Sequence, residues 1–265
     1  MSDSTSEGAA TLLWFRRDLR TADHPAMLRA AGGTGRVLGL FVLDEALLGP
    51  AGEVRPAYLF RCLHALNEQL RGRLLVVRGD PVQVLPRVAL ALGTATVHIT
   101  SDAGPYGRRR DRVVGAALAA NGVELVATGS PYAIAPGRVL KGDGRPYKVF
   151  TPFYRAWREH GWPEPAATSA TTVSWIDPES VTGLPHRVAI EDRGRAGEIT
   201  LPAAGEVAAL RTWDRFREEK LGDYRAGRDR PDRSATSHLS PYLRWGCIHP
   251  RTVLAELVGD RSDAA

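Results

Sequence analysis

The chain has 265 residues, of which 43% are hydrophobic and 25% charged, ordinary globular proportions that argue against disorder and against a membrane-embedded protein. The net charge of +5 favours an anionic partner without identifying one. Two cysteines, Cys62 and Cys247, are too few and too far apart for a disulfide framework or a zinc site, and they read as buried apolar groups.

The opening MSDSTSEGAA lacks the basic start and apolar stretch of a secretion signal, and no run approaches the roughly 18 apolar residues of a spanning helix. Residues 1–10 are therefore expected to form a disordered tail, and the protein to be cytoplasmic with no membrane partner. Five short runs rich in Val, Leu and Ile follow, beginning at Thr11, Arg36, Arg73, Ala95 and Val123. They have the continuous apolar character of strands buried on both faces. Between them lie helical patterns, clearest over 53–70, where Val54, Tyr58, Cys62, Leu66 and Leu70 recur at three-to-four spacing. This alternation predicts an α/β domain over 11–130, a doubly wound, five-stranded parallel sheet with right-handed crossovers. Ligands of such sheets sit beyond the carboxyl ends of the strands, so the loops after Phe15, Asp44, Arg78 and Ser101 would line any pocket. There is no GxGxxG or Walker sequence, and the glycine-rich turn at 32–35 reads as a helix-ending loop.

Residues 131–205 read as an interdomain connection. They are rich in Pro, Gly, Ser and Thr, with one helical stretch near Tyr154–His160 and an aromatic block at 144–157 that is expected to pack the two domains together. From 206 to 265 a helical region begins. Val207, Leu210, Trp213, Phe216 and Leu221 mark one face of its first helix, and Pro250 opens another. About 60 helical residues are few for an independent core, so this region is expected to be an incomplete domain.

Three blocks carry more than pattern. The first, LLWFRRDLRTADHPAML (12–28), runs a buried strand into a charged loop. Taken alone, Arg16, Arg17, Asp18 and Arg20 read as a solvated loop with a local ion pair. The second is GRPYKVFTPFYRAW (144–157). The third is LGDYRAGRDRPDRSATSHLSPYLRWGCIHPRTVL (221–254), where Thr236, Ser237 and Ser240 place hydroxyls on a turn before a helix. Such a turn either caps the helix or binds a phosphate.

Together these blocks resemble the DNA photolyase and cryptochrome family, over residues 11 to about 259. The resemblance implies a Rossmann-like antenna domain followed by the start of an all-α FAD-binding domain. It implies FAD contacts from Tyr224, Thr236, Ser237, His238, Leu239 and Ser240, and a DNA-backbone contact from Arg228. Ala235 stands where many relatives have Gly, and His238 where they often have Arg. The implied activity is that of a deoxyribodipyrimidine photolyase, a carbon–carbon lyase that repairs cyclobutane pyrimidine dimers in single- or double-stranded DNA by light-driven electron transfer from reduced FAD, acting as a monomer. A cryptochrome-type photosensor and a stand-alone pigment- or nucleotide-binding module are the alternatives. The resemblance places no catalytic residue inside this chain. The 265 residues alone are expected to bind FAD poorly and to repair nothing. For the antenna pigment, Asp102 matches the deazaflavin pattern but Gly104 replaces its glutamate, while Tyr106 and Gly107 lack the Asn-Glu of folate binders. A deazaflavin is thus favoured over a folate.

Overall fold

The computed structural model describes residues 10–32, 35–191 and 195–262. Apart from Ala10, the tail expected at 1–10 lies outside the described residues, as do Gly33 and Thr34 of the glycine-rich turn. The α/β part runs β1 (Thr11–Phe15), α1 (Pro25–Ala31), β2 (Arg36–Leu43), α2 (Glu45–Leu48), α3 (Val54–Gln69), β3 (Leu74–Arg78), α4 (Pro81–Leu92), β4 (Thr96–Ile99), α5 (Pro105–Ala119) and β5 (Glu124–Ala127). All five strands pair in parallel, in the order β3-β2-β1-β4-β5. The absence of polar alternation has its cause here. Leu13 and Phe15 of β1 enter one core and Leu12 and Trp14 the other, so helices cover both faces of the sheet.

The remaining elements are α6 (Phe150–His160), β6 (Ser174–Trp175), β7 (Arg195–Ala196), β8 (Ile199–Thr200), α7 (Glu206–Glu219), α8 (Tyr224–Gly227), α9 (Ser240–Trp245) and α10 (Pro250–Ser262). The connecting segment is more ordered than its composition predicts. Its β6 extends the sheet by pairing Ser174 and Trp175 in parallel with Arg36 and Val37. The buried Trp175 indole donates to the Ala170 carbonyl at 2.8 Å. A run of two residues is too short to show periodicity, which is why the sequence did not announce it. β7 and β8 then form a small antiparallel pair.

Two further expectations fail. Val207 is 52% exposed and drops out of the expected face of α7, whereas Trp213 and Phe216 are buried together with Glu206 and Ala209, and Leu210 and Leu221 pack against the same core. The aromatic block does not bury itself between domains, because no residue of α6 is buried and Phe150 is 74% exposed. Its rings stack on one another, Phe150 on Tyr154 at 5.7 Å and Trp157 on Trp162 at 4.7 Å.

Among the described residues, the helical region has no separate core. Trp213 and Phe216 of α7, Tyr242 of α9, and Cys247 and Ile248 share one apolar cluster with Phe15, Leu63 and Leu66 of the α/β part. Cys62 and Cys247 are free and buried within it.

Candidate functional site

The loop after β1 holds the two parts together, and it is not solvated. Arg16, Asp18 and Arg20 are all buried. Asp18 Oδ1 accepts from the Arg16 N–H at 2.7 Å, while its Oδ2 lies 3.3 Å from His24 Nε2. Burial by itself would raise the Asp18 carboxyl, but the hydrogen bond and charge of His24, with Arg16 beside it, hold it well below the usual carboxylate range. Asp23 reaches across to the start of α10. Its carboxylate accepts from Arg251 Nη2 at 2.5 Å and from the Ala166 N–H at 2.8 Å, and it lies 3.0 Å from His249 Nδ1. Glu206, at the start of α7, accepts from the Thr21 and Ala22 N–H groups at 2.9 and 2.8 Å and from Gln69. Gly246 completes the junction at φ +67°, so close that a Cβ there would sit 2.0 Å from the Arg17 carbonyl oxygen. The contacts of Asp23, Glu206 and Gly246 link residues more than 130 positions apart, and no local motif could have revealed them.

Against this junction lies a cleft of about 830 Å³ between α6 and the helices α7–α10. One wall carries Tyr132, Tyr147, Phe153 and Trp157, and the other Trp213, Phe216, Tyr224 and Leu239. Of the residues expected to hold a diphosphate, Tyr224, Ser237 and Leu239 line this cleft. Thr236, His238 and Ser240 are exposed beside it on the same turn and do not line it. The choice between capping and phosphate binding is narrowed by geometry. The residue before α9 is Leu239 and no side chain caps that helix, so the hydroxyls of 236, 237 and 240 are not engaged as caps. His238 has φ +52°, and its Nε2 is 3.2 Å from Ser234 Oγ, which fixes the bend of the turn. The neighbouring Ala235 is accommodated by Gly227, where a Cβ would fall 2.5 Å from the Ala235 methyl. Arg228 projects into solvent with its Nε 3.5 Å from Asp229.

A second cleft, of about 530 Å³, opens beyond the carboxyl ends of the strands, where the loops after Phe15, Asp44 and Ser101 converge. Asp102 lies in it, accepting from the Gly104 N–H at 2.9 Å and 3.6 Å from Arg110. Its side chain fills the space of any side chain at 107, since a Gly107 Cβ would come within 2.1 Å of the carboxyl. The Arg110 guanidinium stands over both Trp14 and Tyr106, 5.0 and 5.8 Å from the ring centres. The Tyr106 hydroxyl donates to Asp44, and burial together with that carboxylate pushes it up to about 12. Arg55, Arg244 and Trp245 also line this cleft, a contribution the sequence reading missed because the three are distant in sequence from the strand ends. Among the described residues there is no cluster of His, Cys, Asp and Glu able to hold a metal, and no helix long and apolar enough to cross a membrane.

The DNA photolyase family model matches residues 11–170. The deoxyribodipyrimidine photo-lyase of Synechococcus sp. (strain ATCC 27144) is 34% identical over 251 residues, which cover 91% of this chain and 52% of that protein. An uncharacterized 31.6 kDa protein of Synechococcus sp. (strain PCC 6716) is 39% identical over 256 residues, covering 92% of this chain and 87% of its own length. Among solved structures, a bacterial class III photolyase from Agrobacterium tumefaciens superposes with a TM-score of 0.76 at 29% identity, covering 96% of this chain and 54% of the other. The chain thus spans about half the length of the named photo-lyases it matches.

Proposed function

Because the chain belongs to the DNA photolyase family, we propose that it supplies the antenna domain and the opening of the flavin domain of a light-driven enzyme that repairs cyclobutane pyrimidine dimers in DNA. The observation that carries this reading is the larger cleft, which sets Tyr224, Ser237 and Leu239 opposite an aromatic wall. Its volume and apolar lining suit a flat, extended cofactor with one polar end. FAD would be held by Tyr224 and by the turn of Thr236, Ser237, His238, Leu239 and Ser240, whose uncapped hydroxyls suit a diphosphate. When bound and reduced, FAD supplies the photoexcited electron that opens the dimer's ring and recovers it afterwards, with no net redox change.

The chain's own work is positioning and the exclusion of water. Trp213 and Phe216 form a dry wall, and Tyr224 closes against Phe216 edge-on at 5.8 Å. Arg228 meets the DNA backbone by exchanging its exposed Asp229 partner for a phosphate. Surface pairs of that kind are worth at most about 1 kcal/mol, so the exchange is easy. The DNA is taken single- or double-stranded by a monomer. The smaller cleft is the antenna site, with Asp102 among its ligands. The lack of room for a side chain at 107 favours a deazaflavin over a folate. A second reading, a self-contained pigment-binding module, draws on the 31.6 kDa relative, which this chain matches over 87% of its length.

Titration of the complete protein with FAD, followed by flavin fluorescence, separates the two. Ser237→Ala is expected to weaken FAD binding about tenfold, the loss of one charge-assisted hydrogen bond. Unchanged affinity in both Ser237→Ala and Tyr224→Ala would remove the cleft from the account. A protein that takes up a deazaflavin but no FAD would favour the module.

A further inference from the structure

The face of the sheet turned away from the helical part carries a one-sided charge. The two apolar clusters divide at the sheet. Trp213, Phe216 and Tyr242 of the helical part lie in one, and Val84, Leu85 and Val88 of α4 with Val114 and Leu118 of α5 lie in the other. Helices α4 and α5 pack side by side on that second face. Between them they hold five arginines and a single carboxylate, Asp111. Asp111 is engaged inward, where it accepts from Arg16 at 2.9 Å and from Arg110 at 2.8 Å. Arg87, Arg108, Arg109 and Arg112 are exposed, and none has a carboxylate in ion-pair reach among the described residues.

Folding gains nothing from this arrangement. Arg108 and Arg112 are four residues apart and Arg109 and Arg112 three apart, so charges of one sign are neighbours on the helix surface, which disfavours the helix. The first turn of α5 has no acidic residue to offset the positive helix start that these arginines crowd. A polyanion on this face reverses both effects. The four side chains line neither cleft, so they address an extended surface and not a small molecule. Leu90, Tyr106 and Val113 are the only exposed large apolar side chains of the two helices among the described residues, too few to seat a membrane surface.

We propose that the arginine face of α5, formed by Arg108, Arg109 and Arg112 with Arg87 of α4 beside it, binds the phosphate backbone of duplex DNA independently of any lesion. This contact rests on the DNA reading above and adds to it a second surface, separate from Arg228 on α8. Arginine suits the partner, because its planar fork meets a phosphate with paired N–H donors and stays charged. Arg108 and Arg112 stand about 6 Å apart along the helix axis, at about 1.5 Å per residue. A duplex strand carries one phosphate per about 3.4 Å of its axis, so long side chains at that spacing reach separate phosphates of one strand.

Fluorescence anisotropy of the complete protein with an undamaged duplex, from about 50 to about 200 mM salt, reads the contact directly. R108Q/R109Q/R112Q is expected to make the plot of log affinity against log salt shallower by about 2 to 3, at about 0.9 per lost phosphate contact. R108K/R109K/R112K, which keeps the charge, is expected to retain most of the slope. The glutamine variant's circular dichroism and its light-driven repair rate at saturating DNA are expected to match the unaltered protein, which reports an intact fold. An unchanged slope would overturn the contact, and so would arginine-dependent binding to phosphatidylglycerol vesicles with duplex affinity unmoved. A protein that repairs no dimer yet loses slope in the glutamine variant would remove the repair reading and leave this contact standing. No duplex binding by the unaltered protein would overturn both.

Discussion

Asp23 is the most constrained residue of the junction, because its one carboxylate serves Arg251, His249 and the Ala166 N–H. Removing its charge leaves a buried guanidinium unpaired, so Asp23→Asn is expected to cost about 3–5 kcal/mol in urea unfolding at neutral pH. The pH dependence has a definite sign. Burial would raise Asp23, yet His249, the Ala166 N–H and Arg251 lower it, and Asp18 is lowered likewise. Both are therefore more acidic folded than unfolded. Their contribution is complete above the ordinary value of 3.8 and is lost as pH falls below it. Stability measured against pH should fall steeply below 3.8, and less steeply in Asp23→Asn. A variant with the same acid limb as the unaltered protein would show that other carboxylates govern it.

At the scale of elements, the close approach of the β1 loop and the end of α9 depends on Gly246. Ala at that position combines a left-handed backbone with a methyl driven into the Arg17 carbonyl, and Gly246→Ala is expected to cost about 2–4 kcal/mol in thermal or urea unfolding. A neutral outcome would mean the junction yields without cost. The five long strands and α3 were legible because buried parallel strands and amphipathic helices leave unbroken periodicities. The two-residue β6 left none, and Val207 misled because the buried stripe of α7 begins on the charged Glu206, whose partners lie at Thr21, Ala22 and Gln69. The candidate site was readable only in part. Tyr224, Ser237 and Leu239 fall in the cleft, and Asp102 in its neighbour, through motif resemblance. Arg55, Arg244 and Trp245 join the smaller cleft only through long-range packing.

For the whole molecule, one apolar cluster runs from the sheet into α7 and α9, so the two parts are expected to unfold as a unit. Trp213→Ala, which empties a 2% exposed position in that cluster, should cost about 3–5 kcal/mol and lower the midpoint of every probe together. Separate transitions by far-ultraviolet circular dichroism and tryptophan fluorescence would contradict a shared core. Phe153 and Trp157 of α6 line the cleft proposed for the flavin. The most direct measurement irradiates the complete protein, flavin reduced, with blue light in the presence of an oligonucleotide bearing one thymine dimer, and follows loss of the dimer. The account predicts repair that requires light and stops when FAD is stripped. Protein that holds reduced FAD and absorbs the light while every dimer survives would contradict it.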